Sequence, residues 1–439
     1  MRGRTGPEVG VRPSFAVREG QNAERMRTET HLQRARTIGR VARPRRNETR
    51  PGQRTNVPAG GSVDRVPFLI FSPGDAHKVS TWSNVPYFFT QALERQGHTV
   101  VRVDIGTARL LKKVYDGSWT VLRMMRVTRT RHGFFHSRIH YWVTQRRIER
   151  ELRAHPGHHP LFFTYTFGAN AQGRPYTLFC DMTFQKAIRY FSGRRPDALE
   201  RQTVRREKRN LDEATRIISL FPKLADELRQ QHGDKVRYFG NVLNVDDLQA
   251  GHGTLERSLK GNEIVFVGKE HYLEGLHLLL EALPLLNELR RDPVHLHVVG
   301  LTQAQARIGV PEHVTFHGYL DKADTEQRRT YYDLLERARL FVNPNPKWGA
   351  FSASLEAMYL HTPVVLFPYM EFTRTFPRHE EMGYFLRNAD APELAVTLAH
   401  AFDDREAWTQ KAMTAHEAVK DMTWEKYVRR FLEDLNGTR

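Results

Sequence analysis

The chain has 439 residues, which is enough for two or three domains that each bury a core of their own. With 40% hydrophobic and 27% charged residues, its composition is that of a globular protein. No stretch approaches the roughly 20 unbroken apolar residues that a membrane-spanning helix needs. The single cysteine, Cys180, excludes an intrachain disulfide. No Cys/His cluster has the spacing of a structural zinc site.

The net charge of +17 is concentrated near the N-terminus. Residues 1–65 contain fifteen Arg against six Asp or Glu, which is about half of the excess, and they show no sustained periodicity. We predict a disordered tail that is either an extension without function or a weak, charge-based contact for RNA, anionic lipid or an acidic partner. No sequence pattern predicts specific nucleic-acid binding. The first residues lack the apolar core of a secretory signal, so we expect a cytoplasmic protein.

Strand and helix patterns alternate through residues 66–250, the predicted N-terminal domain. Its first unit is a buried strand at 66–71, an amphipathic helix, and a second strand at 99–103. The apolar positions of that helix are Val85, Phe88, Phe89, Ala92 and Leu93. An Arg-rich helical region at 110–153 follows. Further strands are predicted at 161–167, 176–180, 214–221 and 235–241.

A linker at 245–262, with the boundary near residue 250, leads to a second alternating series in the predicted domain 251–439. Its strands are predicted at 263–268, 295–300, 314–318, 340–344 and 363–367. Helices are predicted at 275–289, 326–338, 352–360 and 392–402. We therefore predict an α/β protein with two Rossmann-like, doubly wound parallel sheets that face each other across a cleft.

Two loops of the second domain are candidates for binding phosphate, because ligands of open parallel sheets bind beyond the carboxyl ends of the strands. Gly268 ends the strand at 263–268, and Lys269 follows it directly, where its ammonium group can neutralise a diphosphate. The alternative is an ordinary solvated lysine.

The second loop is NPKWGAFSASLEAM, in which Gly349 permits a tight approach of the backbone. Ser352 or Ser354 can cap the following helix, and the N–H groups near Phe351 and Ser352 can meet phosphate. Glu356 can accept hydrogen bonds from a ribose diol, or it simply compensates the helix dipole.

Polar residues of the first domain are candidates for the acceptor side of the cleft. Ser83 and Asn84 precede the helix of the first βαβ unit, and Asp181 follows the strand at 176–180. For Ser83 and Asn84 the alternative role is a helix cap, and for Asp181 it is a turn or cap.

Five segments occur in the order and at the spacing of one known family: EIVFVGKEHYLEGLHLLLEAL, LHVVG, VTFHGYL, LFVNPNPKWGAFSASLEAMYLHTPVV and MTWEKYVRRFLEDL. They resemble the motifs of the retaining glycosyltransferase family 4, the "glycosyl transferases group 1" type. CDMTF, which contains Asp181, resembles a short acidic motif of some bacterial members. The resemblance implies the GT-B fold and a hexosyltransferase. It also implies a last helix that packs back on the N-terminal domain.

The chain departs from the family pattern at two positions. The family usually has an Arg and then Lys-Gly after the strand, whereas this chain has Lys269 and then Glu274-Gly275. The first of two glutamates eight positions apart falls on Trp348, and Glu356 matches the second. The resemblance therefore implies a nucleotide-sugar donor site with an altered sugar pocket.

The implied reaction moves a sugar from a nucleotide-sugar donor to a glycan, lipid-linked or other hydroxyl acceptor. It needs no cofactor and no metal, because Lys269 and the N–H groups of Phe351 and Ser352 stabilise the leaving diphosphate. Glu356 and Asp181 complete the predicted catalytic set. The alternative is a catalytically degenerate member of the fold that binds nucleotide or acts as a scaffold. The basic helices between residues 112 and 153 would suit an anionic acceptor or peripheral contact with the inner membrane face.

Overall fold

The structure, a computed structural model, describes most of the chain after residue 64. The described residues are 65–106, 120–121, 123–126, 137–169, 173–198, 200–245, 254–307 and 309–437. They belong to one compact unit, Val63–Arg439. The predicted tail, except for its last residue, and the predicted domain boundary near residue 250 lie outside the described residues.

The N-terminal half is built on a sheet of six parallel strands in the order β2-β1-β3-β4-β5-β6. The strands are β1 Phe68–Ser72, β2 Val100–Asp104, β3 His159–Phe162, β4 Thr177–Cys180, β5 Arg216–Ser219 and β6 Val236–Arg237. The helices described between them are α1 Val85–Arg95, α2 Arg138–Ala154, α3 Phe184–Ser192, α4 Glu200–Glu213 and α5 Pro222–His232. Every residue of β1 is buried, as expected for an inner strand of a sheet covered on both faces.

The C-terminal half has a second sheet of six parallel strands in the order β12-β11-β10-β7-β8-β9. The strands are β7 Glu263–Val267, β8 His295–Val299, β9 Val314–Gly318, β10 Leu340–Asn343, β11 Val364–Leu366 and β12 Gly383–Phe385. The larger helices are α6 Thr254–Lys260, α7 Leu273–Leu289, α9 Thr325–Arg337, α10 Phe351–Tyr359, α12 Ala391–Asp403, α13 Arg405–Val419 and α14 Trp424–Gly437. Two short helices, α8 Gln303–Ala306 and α11 Met370–Thr375, complete the series.

The predicted fold class, two doubly wound parallel sheets, is confirmed, and several individual elements differ from the prediction. The strand predicted at 161–167 ends at Phe162, because the Tyr165 hydroxyl donates to the carbonyls of Cys180 and Ile218 and draws the chain away from the sheet. The predicted linker contains α6, which is anchored on α9 through Arg257. The short strand β12 was not predicted, because three residues carry too little periodicity.

The last helix, α14, lies against the N-terminal half. The Phe431 ring packs on Phe68 and Phe89, and Arg216 of β5 pairs with Asp434. The side-chain amide of Gln96 donates to the Glu425 carbonyl at 3.1 Å. These contacts connect the two halves on the side of the first sheet.

Candidate functional site

A cleft of about 330 Å³ lies between the two halves, beyond the carboxyl ends of β1, β4, β7, β9 and β10. It brings together most of the residues proposed from sequence. Those that line it are Asn84, Asp181, Gly268, Lys269, Phe351, Ser352 and Glu356. The side chain of Ser83 lies outside the described residues, although its backbone forms part of a short 3-10 helix.

The loop after β7 places Lys269 at the mouth of this cleft. The Gly268 N–H donates to the Val299 carbonyl at 3.0 Å, which holds the ends of β7 and β8 together. A Cβ at Gly268 would lie 2.8 Å from the Phe266 ring, so the close turn requires glycine. The exposed Lys269 ammonium lies 5.6 Å from the centroid of the Tyr319 ring, in the loop after β9. A cation is therefore held where two strand-end loops meet.

The N-terminus of α10 faces the same cleft. Gly349 is tightly enclosed, since a Cβ there would lie 2.7 Å from Leu366. Ala350 takes the N-cap position in the left-handed conformation, with φ of 54°, and makes no side-chain cap. The first N–H groups of a helix have no intrahelical acceptor, so those of Phe351 and Ser352 carry the positive end of the helix dipole into the cleft. This is the geometry of an anion site.

The predicted serine cap of α10 is wrong. Ser352 lies inside the helix, and the Ser354 hydroxyl donates to the Gly349 carbonyl at 2.8 Å instead of accepting from the first turn. The glycine-enclosed turn at Gly349 and Ala350 starts the helix in place of a side-chain cap. The first N–H groups of α10 are therefore not taken up by a side-chain cap.

Glu356 is 2% exposed and belongs to a buried ion pair that was not predicted. The Lys322 ammonium lies 2.7 Å from Oε1 and 2.8 Å from Oε2, and the Tyr331 hydroxyl donates to Oε2 at 2.6 Å. Burial, followed by the neighbouring Glu356 carboxylate, raises the pKa of Tyr331 well above its ordinary value. Lys322 follows β9 by four residues, and its position beyond a glycine-ended strand was the available sequence signal.

Trp348 stands where the family pattern has its first glutamate. Its ring meets Phe221 nearly perpendicularly at 5.0 Å and Tyr190 at 6.1 Å, both from the N-terminal half, and it packs on Tyr369 at 5.5 Å. The indole thus packs against residues of both halves and gives the cleft an aromatic wall.

Asp181 lies between this cleft and an adjoining cavity of about 410 Å³ on the N-terminal side. Burial raises the pKa of Asp181, although the Cys180 thiol donates to its carboxylate at 3.5 Å. Thr164 and Thr166 line the same cavity, and their hydroxyls lie 2.9 Å apart. The loop that follows β3 therefore supplies polar groups to the cavity that holds Asp181.

Glu207, on α4, is a second acid of this cavity that the sequence did not indicate. Both of its carboxylate oxygens accept from the Phe184 N–H at 3.0 Å, at the start of α3. Burial raises the pKa of Glu207 to about 8 despite these backbone donors. Glu207 lies in a helix rich in charged residues, so its spacing along the sequence does not distinguish it from the exposed acids and bases around it.

Asn84 occupies the N-cap position of α1, with φ of 71°, and makes no side-chain hydrogen bond to the helix. Asparagine tolerates this left-handed conformation better than most residues. Its position at the end of the loop after β1 places it on the cleft wall, next to Trp82 and Val85.

We expect Glu207→Gln to change how the stability of the fold depends on pH. Because the pKa of Glu207 rises from its ordinary 4.5 to about 8, the native state holds more protons than the unfolded chain between these values, and stability falls as pH rises through them. The variant should gain thermal stability relative to the native chain across that window, by at most about 1.4 kcal/mol per pH unit. Melting curves from about pH 5 to pH 8 test this. Parallel changes in the exposed control Glu288→Gln would contradict it.

The described residues offer neither a membrane-spanning helix nor a metal-binding cluster. No described helix is long and apolar enough to cross a membrane. Within the same residues, no group of three or more His, Cys, Asp or Glu side chains is arranged to hold a metal ion.

Part of the C-terminal half matches a known family model. Residues 261–404 match the model described as "Glycosyl transferases group 1". The C-terminal half carries a glycosyl transferases group 1 domain. Every donor-side residue proposed from sequence, from Gly268 to Glu356, lies inside this domain. The predicted glycosyltransferase assignment is thereby confirmed, and no curated protein matches the chain.

Solved structures match almost the whole described chain in fold. Sucrose-phosphate synthase of Thermosynechococcus elongatus is similar with a TM-score of 0.61 and 16% identity, over 85% of this chain and 99% of that one. WaaG, a glycosyltransferase involved in lipopolysaccharide biosynthesis, gives 0.58 and 14%, over 85% and 100%. HepE of Anabaena, in complex with UDP, gives 0.55 and 15%, over 85% and 100%. Together with the two sheets, these likenesses confirm that the group 1 domain is half of a GT-B fold.

Proposed function

We propose that this glycosyltransferase moves a hexosyl group from a nucleoside-diphosphate sugar to an acceptor hydroxyl, with retention at the anomeric carbon. The observation that carries the proposal is the meeting of Lys269 and the α10 N-terminus in one cleft between the two sheets. A cation and an array of N–H groups at one point are what a diphosphate requires. The UDP complex of HepE, which has the same fold, supports a nucleoside diphosphate as the ligand class.

On the donor side, the leaving diphosphate would lie against the N–H groups of Phe351 and Ser352, with Lys269 at its open side. Negative charge grows on the diphosphate as the glycosidic bond breaks, and fixed donors aimed at that charge lower the barrier without reorganising. Glu356 would hold the ribose. Trp348 would place an aromatic face, rather than a carboxylate, beside the transferred sugar.

On the acceptor side, the cavity that holds Asp181 and Glu207 would receive the hydroxyl-bearing molecule. Thr164 and Thr166 offer hydroxyl donors and acceptors in the same cavity as the two acids. The burial that raises the pKa of Asp181 and Glu207 also disfavours an anion in this cavity, so an uncharged glycan or lipid-linked sugar fits it better than an anionic acceptor. With retention, the leaving diphosphate takes the acceptor proton on the face it leaves, and Asp181 would orient the attacking hydroxyl.

We expect Asp181→Asn to lower kcat for transfer by about 10–100-fold, the worth of one hydrogen bond to a charged group, and to leave nucleotide affinity unchanged. Transfer to the acceptor and binding of UDP or GDP would be measured on the same preparation. Asp292→Asn, an exposed change of the same kind outside the cleft, is the matched control. A parallel loss of nucleotide affinity in Asp181→Asn would remove Asp181 from the acceptor side.

A panel of sugar nucleotides with UDP and GDP bases tests the proposed function directly. Release of nucleoside diphosphate, slow from water alone and faster with an acceptor, is the expected result. Nucleotide binding without release from any donor would favour the degenerate, nucleotide-binding alternative. If neither UDP nor GDP binds at all, the donor site is wrong.

We also propose a cytoplasmic enzyme that contacts the anionic inner membrane face through α2. One face of this helix is buried through His140, Thr144, Ile148 and Leu152. The opposite face exposes Ile139, Trp142 and Val143 together with Arg146, Arg147 and Arg150. Apolar side chains bordered by arginine are the pattern of a helix that lies in a lipid interface.

We expect the protein to sediment with vesicles that contain phosphatidylserine. Trp142→Glu should weaken this binding about tenfold or more, because it replaces an exposed apolar side chain that would enter the lipid with a charge that the surface repels. Met413→Glu, which changes an exposed apolar residue on α13, is the control. Equal binding of both variants would exclude α2 as the contact.

A further inference from the structure

Glu356, the residue proposed to bind the ribose, already has its charge paired with Lys322 inside the cleft. Lys322 is 16% exposed and Glu356 is 2% exposed, so the pair is largely out of solvent. The Lys322 ammonium also lies 4.1 Å from the centroid of the Tyr331 ring and 5.3 Å from that of Tyr332. Lys322, Glu356 and the two tyrosine rings thus form one packed cluster. All of its members except Tyr332 line the cleft.

The loop that carries Lys322 is itself fixed. The Asp321 N–H donates to the Gln327 side chain at 2.9 Å, and the Ala323 N–H donates to the Asp321 carboxylate at 3.0 Å. Asp324 then caps α9, the helix that carries Tyr331. The two partners of Glu356 are therefore held by the same hydrogen-bonded segment: Lys322 lies just before α9, and Tyr331 lies within it.

The hydrogen bonds to Glu356 decide what it can still accept. An ionised carboxylate has about four lone-pair sites, two on each oxygen. Lys322 takes one site on Oε1 and one on Oε2, and Tyr331 takes the second site on Oε2. Within the part of the chain that the structure describes, these contacts leave one acceptor site, on Oε1, for a ligand in the cleft.

We propose that Lys322 and Tyr331 are positioning residues that hold Glu356 as an anion with a single acceptor site, so that the donor pocket reads one hydroxyl of the ribose diol and not both. The inference rests on the proposed function, because it takes the ribose of a nucleoside diphosphate as the group that meets Glu356. The pocket then tolerates loss of the other hydroxyl. Lys322 contributes to specificity through the carboxylate and not through the phosphates, which Lys269 meets.

Calorimetric titration of the full chain with UDP, 2′-deoxy-UDP and 3′-deoxy-UDP tests this, with the GDP series in parallel. In the native protein, one deoxynucleotide should bind about tenfold or more weakly than its parent, as expected for a lost hydrogen bond to a charged group, and the other within about twofold. Glu356→Gln and Lys322→Met should each bring the two deoxynucleotides to within about threefold of each other. A buried carboxylate without its cation takes up a proton or turns away, so it no longer selects one hydroxyl.

Lys269→Ala is the matched control, because it removes a lysine from the same cleft. It should weaken all three nucleotides together and keep the ratio between the deoxynucleotides. If Lys322→Met fails to fold, Tyr331→Phe tests the same point: it opens the second site on Oε2, and both deoxynucleotides should then bind more weakly than UDP.

The outcomes separate the two proposals. Native UDP binding with equal loss, or no loss, for the two deoxynucleotides would overturn the single-site inference and leave the proposed function standing. A Lys322→Met variant that keeps the native ratio would show that the ion pair serves folding alone. Absence of binding to any UDP or GDP derivative would overturn the proposed function and the inference with it.

Discussion

Lys269→Ala is expected to lower kcat/KM for sugar transfer by about 100- to 1,000-fold, the usual cost of removing one fixed stabiliser of developing negative charge. Lys269 lies directly after β7, at the mouth of the cleft, and its ammonium is placed beside the loop after β9. Because the diphosphate gains charge as the sugar leaves, the loss should appear mainly in kcat, with a smaller weakening of UDP or GDP binding.

Lys347→Ala makes the same chemical change on an exposed lysine of the loop before α10 that does not line the cleft. Its kcat/KM should stay within about twofold of the native value. Initial rates of diphosphate release for both variants, at several donor concentrations, separate kcat from KM. Equal rates for Lys269→Ala and the native protein would exclude a phosphate role for Lys269.

The second large effect is expected from Gly300→Ala, at the end of β8. Gly300 has a φ of 96°, which L side chains rarely adopt, and a Cβ there would lie 2.3 Å from the Gly268 carbonyl oxygen. The backbone strain and the forced movement of the β7 end together should destabilise the fold by about 2–5 kcal/mol. The displaced Gly268 would carry Lys269 with it, so nucleotide affinity should fall as well.

Gly309→Ala is the natural control, because a Cβ at Gly309 meets no heavy atom within 4 Å and its φ lies outside the left-handed region. It should change stability by less than about 0.5 kcal/mol. Chemical denaturation and nucleotide titration of both variants measure the two effects. A stable Gly300→Ala protein that binds nucleotide normally would show that the β7 and β8 ends are not the support of the donor site.

Most of the fold could be predicted because both sheets are parallel and buried on two faces. The strand at 263–268 is an unbroken apolar run that ends in glycine, and α1 places Val85, Phe88, Phe89, Ala92 and Leu93 on its buried face, as the 3.6-residue period predicts. The misjudged strand at 161–167 shows the limit of this reasoning. Its apolar residues continue past Phe162, but the Tyr165 hydroxyl donates hydrogen bonds to backbone carbonyls of β4 and β5. These acceptors come together only in the assembled sheet, so no local pattern indicates them.

Site residues that directly follow a strand could be predicted from the sequence. Contacts between residues distant in sequence could not. The position of Lys269 follows from the end of β7, and that of Phe351 from the loop after β10. Glu356 was proposed as a ribose ligand, but its pairing with Lys322 and Tyr331 requires the packing of α9 against α10, which no local pattern encodes. The same holds for Glu207, an acid buried only because α4 lies over the start of α3.

The central claim is that the diphosphate of a nucleotide lies between the two sheets, against the first N–H groups of α10 and the Lys269 ammonium. A crystal structure of the chain grown with UDP or GDP tests it most directly. The account predicts diphosphate oxygens within about 3 Å of the Phe351 and Ser352 nitrogens, with Lys269 Nζ as their cationic neighbour. A nucleotide bound outside this cleft, or with its diphosphate turned away from α10, would contradict it.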